Sequence, residues 1–246
     1  MNDGRESEYN LYYWPGLPGR GEFVRLVLEE GGAAYTDVAR LSEDDGDGIP
    51  AIMAFLKGQR QGLVPLAPPF LQVGDLVLAQ TANICMFLAR RLDLVPPEDG
   101  AQAEAMQLLL TVADLVTEVH DTHHPVSTTI AYEEQKEEAK KRSHLFLARR
   151  LPKFMGYFDN IIQRNGGAYA LGDTLTCVDL ALLQLVAGLR YAFPRALARV
   201  ATDIPRVIGV HDRVAARPNI AAYLASERRL PFCEHGIFRR YPELDE

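Results

Sequence analysis

Three short stretches of this 246-residue chain place chemically useful side chains close together. In His120-Asp121-Thr122-His123-His124 the three imidazoles fall on one face of a helical turn, and histidines at i and i+4 can ligate a metal. No HExxH pattern or paired cysteine accompanies them, and Pro125 follows at once. We therefore expect no metal; a polar pocket wall and a structural or surface cluster both stay open. At Gln80-Thr81 a strand turns into a helix. Thr81 can present its hydroxyl and backbone N–H at the helix N-terminus, a favourable seat for a carboxylate, or it is a plain cap that binds nothing. In Tyr12-Tyr13-Trp14-Pro15 a phenol stands at the end of a strand. Tyr13 is either a donor to an anion at the mouth of the next helix or an ordinary core aromatic. Tyr12 points to the opposite strand face.

The elements that must carry these residues change character along the chain. Tyr9–Trp14 reads as a strand stopped by Pro15-Gly16-Leu17-Pro18-Gly19. A helix over 19–30 buries Phe23, Leu26 and Val27 and stops at Gly31-Gly32. A second strand at 34–40, an acidic loop at 42–50 and a short helix at 51–57 follow. Gly74-Asp75 between two apolar runs signals a hairpin, and a helix is expected over 81–92. The order βαβα, hairpin, α fits one small mixed sheet with helices on its faces.

Pro96-Pro97 and Gly100 mark 93–102 as a linker, and helices are expected near 103–123, 132–164, 177–191, 204–216 and 219–226. The second of these is broken or kinked near Pro152. Thr176-Cys177-Val178-Asp179 has the form of a capping box with Asp in place of Glu. The reading is an α/β domain over 9–92 followed by an all-α domain over 103–246.

Composition narrows the function classes. Lys and Arg number 26 against 33 Asp and Glu, a formal charge of -7 with only short basic pairs, which argues against nucleic acid as partner. The polar start, Met1 to Glu8, has no apolar signal core. The most apolar stretch, 177–193, is interrupted by Asp179, Gln184 and Arg190 and reads as a buried helix rather than a membrane span. Three widely spaced cysteines form no CxxC or zinc pattern, as expected of a reduced, cytoplasmic chain.

In order and spacing the chain resembles the cytosolic glutathione transferases, particularly their tyrosine-dependent alpha, mu, pi and sigma classes. Three segments carry the resemblance: Tyr13-Trp14-Pro15 leading into Gly19-Arg20-Gly21-Glu22; Pro69 through Gly74-Asp75 to Gln80-Thr81-Ala82-Asn83; and Gly172-Asp173 to Asp179 together with Ala216-Arg217-Pro218-Asn219. The resemblance implies a thioredoxin-like N-terminal domain that binds glutathione and a helical C-terminal domain that supplies an electrophile pocket. It implies that Tyr13 holds the glutathione sulfur as thiolate, and that Trp14, Arg20, Pro68, a cis Pro69, Gln80 and Thr81 bind the tripeptide. Asp114 would reach the ligand's α-amino group across a homodimer, or is a solvated helix carboxylate. His120, His123 and His124 would border the electrophile pocket.

Two departures stand out: the loop after Tyr13 is one residue longer than in the pi-like pattern, and Pro68 has no N–H to offer the cysteinyl unit. No cysteine stands at the end of the first strand, which argues against the cysteine-dependent classes.

The implied chemistry is quantitative. A free thiol with pKa near 8.5 is a few per cent thiolate at neutral pH. Lowering that value by about two units needs roughly 2.7 kcal/mol of preference for the anion. A phenol donating to S⁻ is a charge-assisted hydrogen bond, and a helix N-terminus adds up to about 1–2 kcal/mol. The expected reaction is attack of the thiolate on a small hydrophobic electrophile or a peroxide. The alternatives are a glutathione-binding module with little turnover, or a glutathione-dependent isomerase, dehalogenase or lyase.

Overall fold

The computed structural model describes residues 9–45 and 47–246; the polar start Met1–Glu8 and Gly46 of the acidic loop lie outside. Strands β1 (Tyr9–Tyr12), β2 (Tyr35–Asp37), β3 (Phe70–Val73) and β4 (Leu76–Ala79) form one sheet in the order β2-β1-β3-β4. β1 and β2 are parallel, joined through helix α1 (Gly21–Glu30), whereas β3 pairs antiparallel with both β1 and β4. Gly74, at φ +56°, makes the tight turn of the hairpin.

The two faces of the sheet have separate cores, as the period-2 alternation of strand side chains requires. Leu11 and Leu71 pack under α1 and α3 (Thr81–Arg91) with Val24, Leu28, Ile84 and Leu88. Tyr12 stacks on Phe70 on the other face, beside Phe55 of α2 (Gly48–Leu56). β1 ends at Tyr12, two residues short of the expected strand, because the chain turns away at Tyr13 into the Pro-Gly loop.

The helical half begins earlier than its linker suggests: α4 spans Asp99–Asp121. Pro96 and Pro97 end the extended segment, and the carboxylate of Asp99 suits a first helical turn. The long stretch expected over 132–164 is a short 3-10 turn (Tyr132–Glu134), then α5 (Lys136–Leu145), a π turn (Phe146–Arg150) and α6 (Leu151–Asn165) with Pro152 in its first turn. α7 (Cys177–Ala192) is the central helix, buried almost throughout. Asp179 closes its capping box, accepting from the N–H of Ala170 at 2.7 Å, the N–H of Thr176 at 2.8 Å and the Thr176 hydroxyl at 2.9 Å.

α8 (Pro194–Ala201) was not expected, and the reason is physical. Its cap is not local: Asp245 accepts the N–H groups of Arg195 and Ala196 at 2.7 and 2.9 Å from 50 residues away. α9 (Pro205–Ala215) is capped in the same way by Asp159, and α10 (Pro218–Leu224) follows. The tail folds back over the bundle, burying Ile237, Phe238 and Leu244. No helix among the described residues is long and apolar enough to cross a membrane.

Candidate active site

Tyr13 sits where β1 gives way to α1, and two glycines make room for it. A Cβ on Gly21 would lie 2.6 Å from the Tyr13 ring, and one on Gly19 would overlap its hydroxyl oxygen. The ring is thereby covered to 5 % exposure. Its oxygen accepts the backbone N–H of Arg20 at 2.9 Å, which leaves the phenolic proton free to be donated elsewhere. Burial pushes the phenol above its ordinary pKa, against the opposing pull of the Arg20 N–H and of the Arg20 and Arg25 charges. The hydroxyl therefore keeps its proton at neutral pH.

The loop that shapes this corner is tied from below. Arg25, fully buried, bonds Asp37 through Nε at 2.7 Å and Glu22 through a terminal nitrogen at 3.2 Å. That terminal nitrogen also lies 3.4 Å from the Pro18 carbonyl, and the guanidinium is 5.9 Å from the Tyr13 ring centre. Tyr223 of α10 donates to Glu22 at 2.7 Å, so the helical half braces the same network.

A groove of about 190 Å³ runs between the start of α3 and the segment before β3. Arg20, Pro68, Pro69, Ala79, Gln80 and Thr81 are among its walls, so five of the expected glutathione contacts converge there. The Pro68–Pro69 peptide is cis. Gln80 stands at φ +71°, a region that side chains rarely adopt, immediately before the helix. Thr81 opens α3 with no side-chain cap from Gln80, so the first N–H groups of the helix are available to an anion.

Not every expected residue joins this groove. Trp14 is half-buried against the core of the opposite sheet face. Asp114 is exposed on α4. At the junction of the two halves, Leu109, Val112, Ala113 and Val116 of α4 close a small apolar cavity against Arg20, Phe23, Thr81 and Ala82. His120 lies one turn further along α4, and His123 and His124 follow just past its end. Burial, then the charge of Arg20, pushes His120 down to about 4. His123 is turned towards the tail, its Nε2 2.8 Å from the Ile237 carbonyl, and burial pushes it down to about 3. Sequence reading missed the bracing by Glu22 and Arg25, although Glu-x-x-Arg is an i, i+3 ion-pair spacing.

Residues 120–227 match the family described as Glutathione S-transferase, C-terminal domain. The glutathione S-transferase of Plasmodium yoelii yoelii is 26% identical over 212 residues, covering 85% of this chain and 90% of that protein. That of Plasmodium falciparum (isolate 3D7) is 26% identical over 225 residues, covering 89% and 95%. Over most of its length the chain is similar to glutathione S-transferases. The fold is that of solved transferases: a C. elegans glutathione transferase structure superposes with TM-score 0.66 at 24% identity, covering 92% of this chain and all of that one. Prostaglandin synthase D of Nilaparvata lugens superposes with TM-score 0.68 at 17% identity, covering 91% and 99%. A thioredoxin-like domain followed by an all-helical domain is thus the architecture of this chain.

Proposed function

We propose that this transferase joins the glutathione thiolate to a small hydrophobic electrophile, with the Tyr13 hydroxyl as the donor that holds the sulfur anionic. The observation that carries the reading is the Tyr13–Arg20 contact. Because the Arg20 N–H occupies one lone pair of the phenol oxygen, the phenolic proton is directed away from the protein backbone. The α1 N-terminus adds its dipole at the same corner.

The groove supplies the remaining contacts. Gln80 and Thr81, with the open N–H groups of α3, suit the γ-glutamyl carboxylate, and the Pro68 carbonyl can accept from the cysteinyl N–H. Arg20 lines both the groove and the junction cavity, which supports a role for its charge between sulfur and electrophile. Catalysis then rests on thiolate stabilisation and on holding two reactants together. The apolar wall of α4, continued by His120, is the side from which the electrophile enters. The exposed Asp114 is available to a second copy of the chain, consistent with a cytoplasmic homodimer in which it meets the α-amino group of the partner's ligand. Sedimentation at micromolar concentration tests that arrangement; a monomer removes it.

One observation favours a second reading. Pro68 cannot donate the N–H expected beside the cysteinyl unit, so a chain that binds glutathione with little turnover is the rival. A structure with glutathione bound separates the two. Thiolate transfer requires the Tyr13 oxygen within about 3.5 Å of sulfur; a sulfur held elsewhere overturns the reading.

A further inference from the structure

The end of α4 gathers three histidines whose clustering the conjugation chemistry does not require. The N–H groups of His123 and His124 both reach back to the His120 carbonyl, at 3.3 and 3.2 Å, which continues the helical turn as far as Pro125. The three imidazoles form one cluster with ring centres 4.9, 5.2 and 5.0 Å apart. One ring nitrogen from each lies within 4.8 Å of the other two. We infer that His120, His123 and His124 form a binding site for a divalent first-row transition-metal ion of the kind that prefers imidazole, such as Cu²⁺, Ni²⁺ or Zn²⁺.

The orientation of His123 is the strongest support. Its Nε2 faces the Ile237 carbonyl, which can only accept, so Nε2 carries the proton and Nδ1 carries a lone pair. That Nδ1 is buried and has no hydrogen-bond partner, in a residue only 1 % exposed. Buried polar atoms are nearly always satisfied, and an orphan calls for an explanation. A carbonyl on the outer N–H is also how metal-ligating histidines are commonly oriented. His124 is held from its outer side as well: Nδ1 lies 3.0 Å from Gln135 Nε2, and the Ser127 and Ile130 carbonyls face the ring. Gln135 is itself fixed, accepting the Val126 N–H at 3.0 Å. Gln135 Nε2 can only donate, so in the metal-free chain Nδ1 of His124 accepts and Nε2 carries the proton; ligation through Nε2 moves that proton to Nδ1, where the Ser127 or Ile130 carbonyl can accept it.

The spacing needs only a small closure. An ion at the centre of nitrogens up to 4.8 Å apart sits roughly 2.8 Å from each, against about 2.0–2.1 Å for zinc and imidazole. A ring movement of under about 1 Å completes the shell, and three protein ligands leave a position open to water or another donor. Arg20 and Arg239 both act on these rings, and their charges oppose a cation. Cu²⁺, at the top of the divalent affinity order, is therefore the probe of choice. An ion here would tie the tail to α4 through Ile237.

Titration of the metal-free full-length chain with Cu²⁺, followed by electron paramagnetic resonance, tests the site. The expected result is one ion per chain with hyperfine structure from the imidazole nitrogens, and a Tm that rises with ion concentration. His120→Asn and His124→Asn, at partly exposed positions, weaken binding roughly tenfold or more, whereas His144→Asn and His235→Asn leave it unchanged. Absence of a stoichiometric ion overturns the proposal. So does a nitrogen signal that survives both cluster variants, or one that disappears with His144 or His235. Retention on immobilised glutathione checks that each variant is folded, and the wild-type spectrum decides by itself if one is not. Conjugation is assayed on metal-free protein, so its outcome is independent of this one.

Discussion

The hydroxyl of Tyr13 accepts the backbone N–H of Arg20 at 2.9 Å, seven residues further along the chain. One hydrogen bond thus joins the last turn out of β1 to the first residue before α1, and it sets the direction in which the phenol can donate. Removing that donor is the direct experiment. Tyr13→Phe keeps the buried ring and loses the charge-assisted bond to sulfur, worth about 1.5–3 kcal/mol. Conjugation of a generic aryl halide should fall about 10- to 150-fold at neutral pH, with glutathione affinity little changed. Unchanged turnover would remove Tyr13 from the mechanism.

Gly19→Ala should be nearly as damaging without touching the ligand. The new methyl overlaps the Tyr13 oxygen, and the residue stands at φ +44°, where a side chain is strained. We expect lower kcat/KM together with a lower Tm. Gly16→Ala is the comparison, because it shares a positive φ yet meets nothing within 4 Å. Equal losses in the two variants would mean that backbone strain, and not displacement of Tyr13, is responsible.

Pro68→Ala should improve glutathione binding. The substitution supplies the N–H that the resemblance assigns to the cysteinyl contact, and one neutral hydrogen bond contributes about 0.5–1.5 kcal/mol. Calorimetric titration should show Kd falling about 2- to 12-fold. A weaker Kd would mean that residue 68 does not face the peptide as the resemblance implies.

Asp179→Ala should destabilise the helical half by about 2–4 kcal/mol, because three buried donors lose their common acceptor. Urea unfolding measures the loss.

The same carboxyl gives a pH dependence. Burial lifts Asp179 to about 6, against the pull of its hydrogen bonds. The folded state therefore holds a proton that the unfolded state has released between about pH 4 and pH 6. Its contribution to stability is full below about pH 4 and declines as pH rises through about 6. Asp179→Asn should flatten that decline in Tm measured across the window, and an unaltered slope would place the titration on another group.

Much of the chain was legible because its signals are local. The hairpin at Gly74-Asp75 and the capping box at Thr176 depend on residues a few positions apart and appear where the spacing places them, and the α/β to all-α switch lies within a few residues of its expected place. Helix α8 was not legible, since its cap is a carboxylate 50 residues away. The break after α5 was visible only as a proline, whereas the π turn lies just before it.

The candidate site divides in the same way. The resemblance to the glutathione transferases assembled Tyr13, Arg20, Pro68, Pro69, Gln80 and Thr81 as a set, because the motifs that carry it are short and can be matched in order along the chain. Only the tertiary structure decided how they meet. Gly19 and Gly21 clear the space for the phenol, Arg25 and Glu22 brace the loop from the core, and the tail turns His123 towards Ile237. Those relations depend on packing between residues far apart in sequence, where shape and burial act and no local pattern records them.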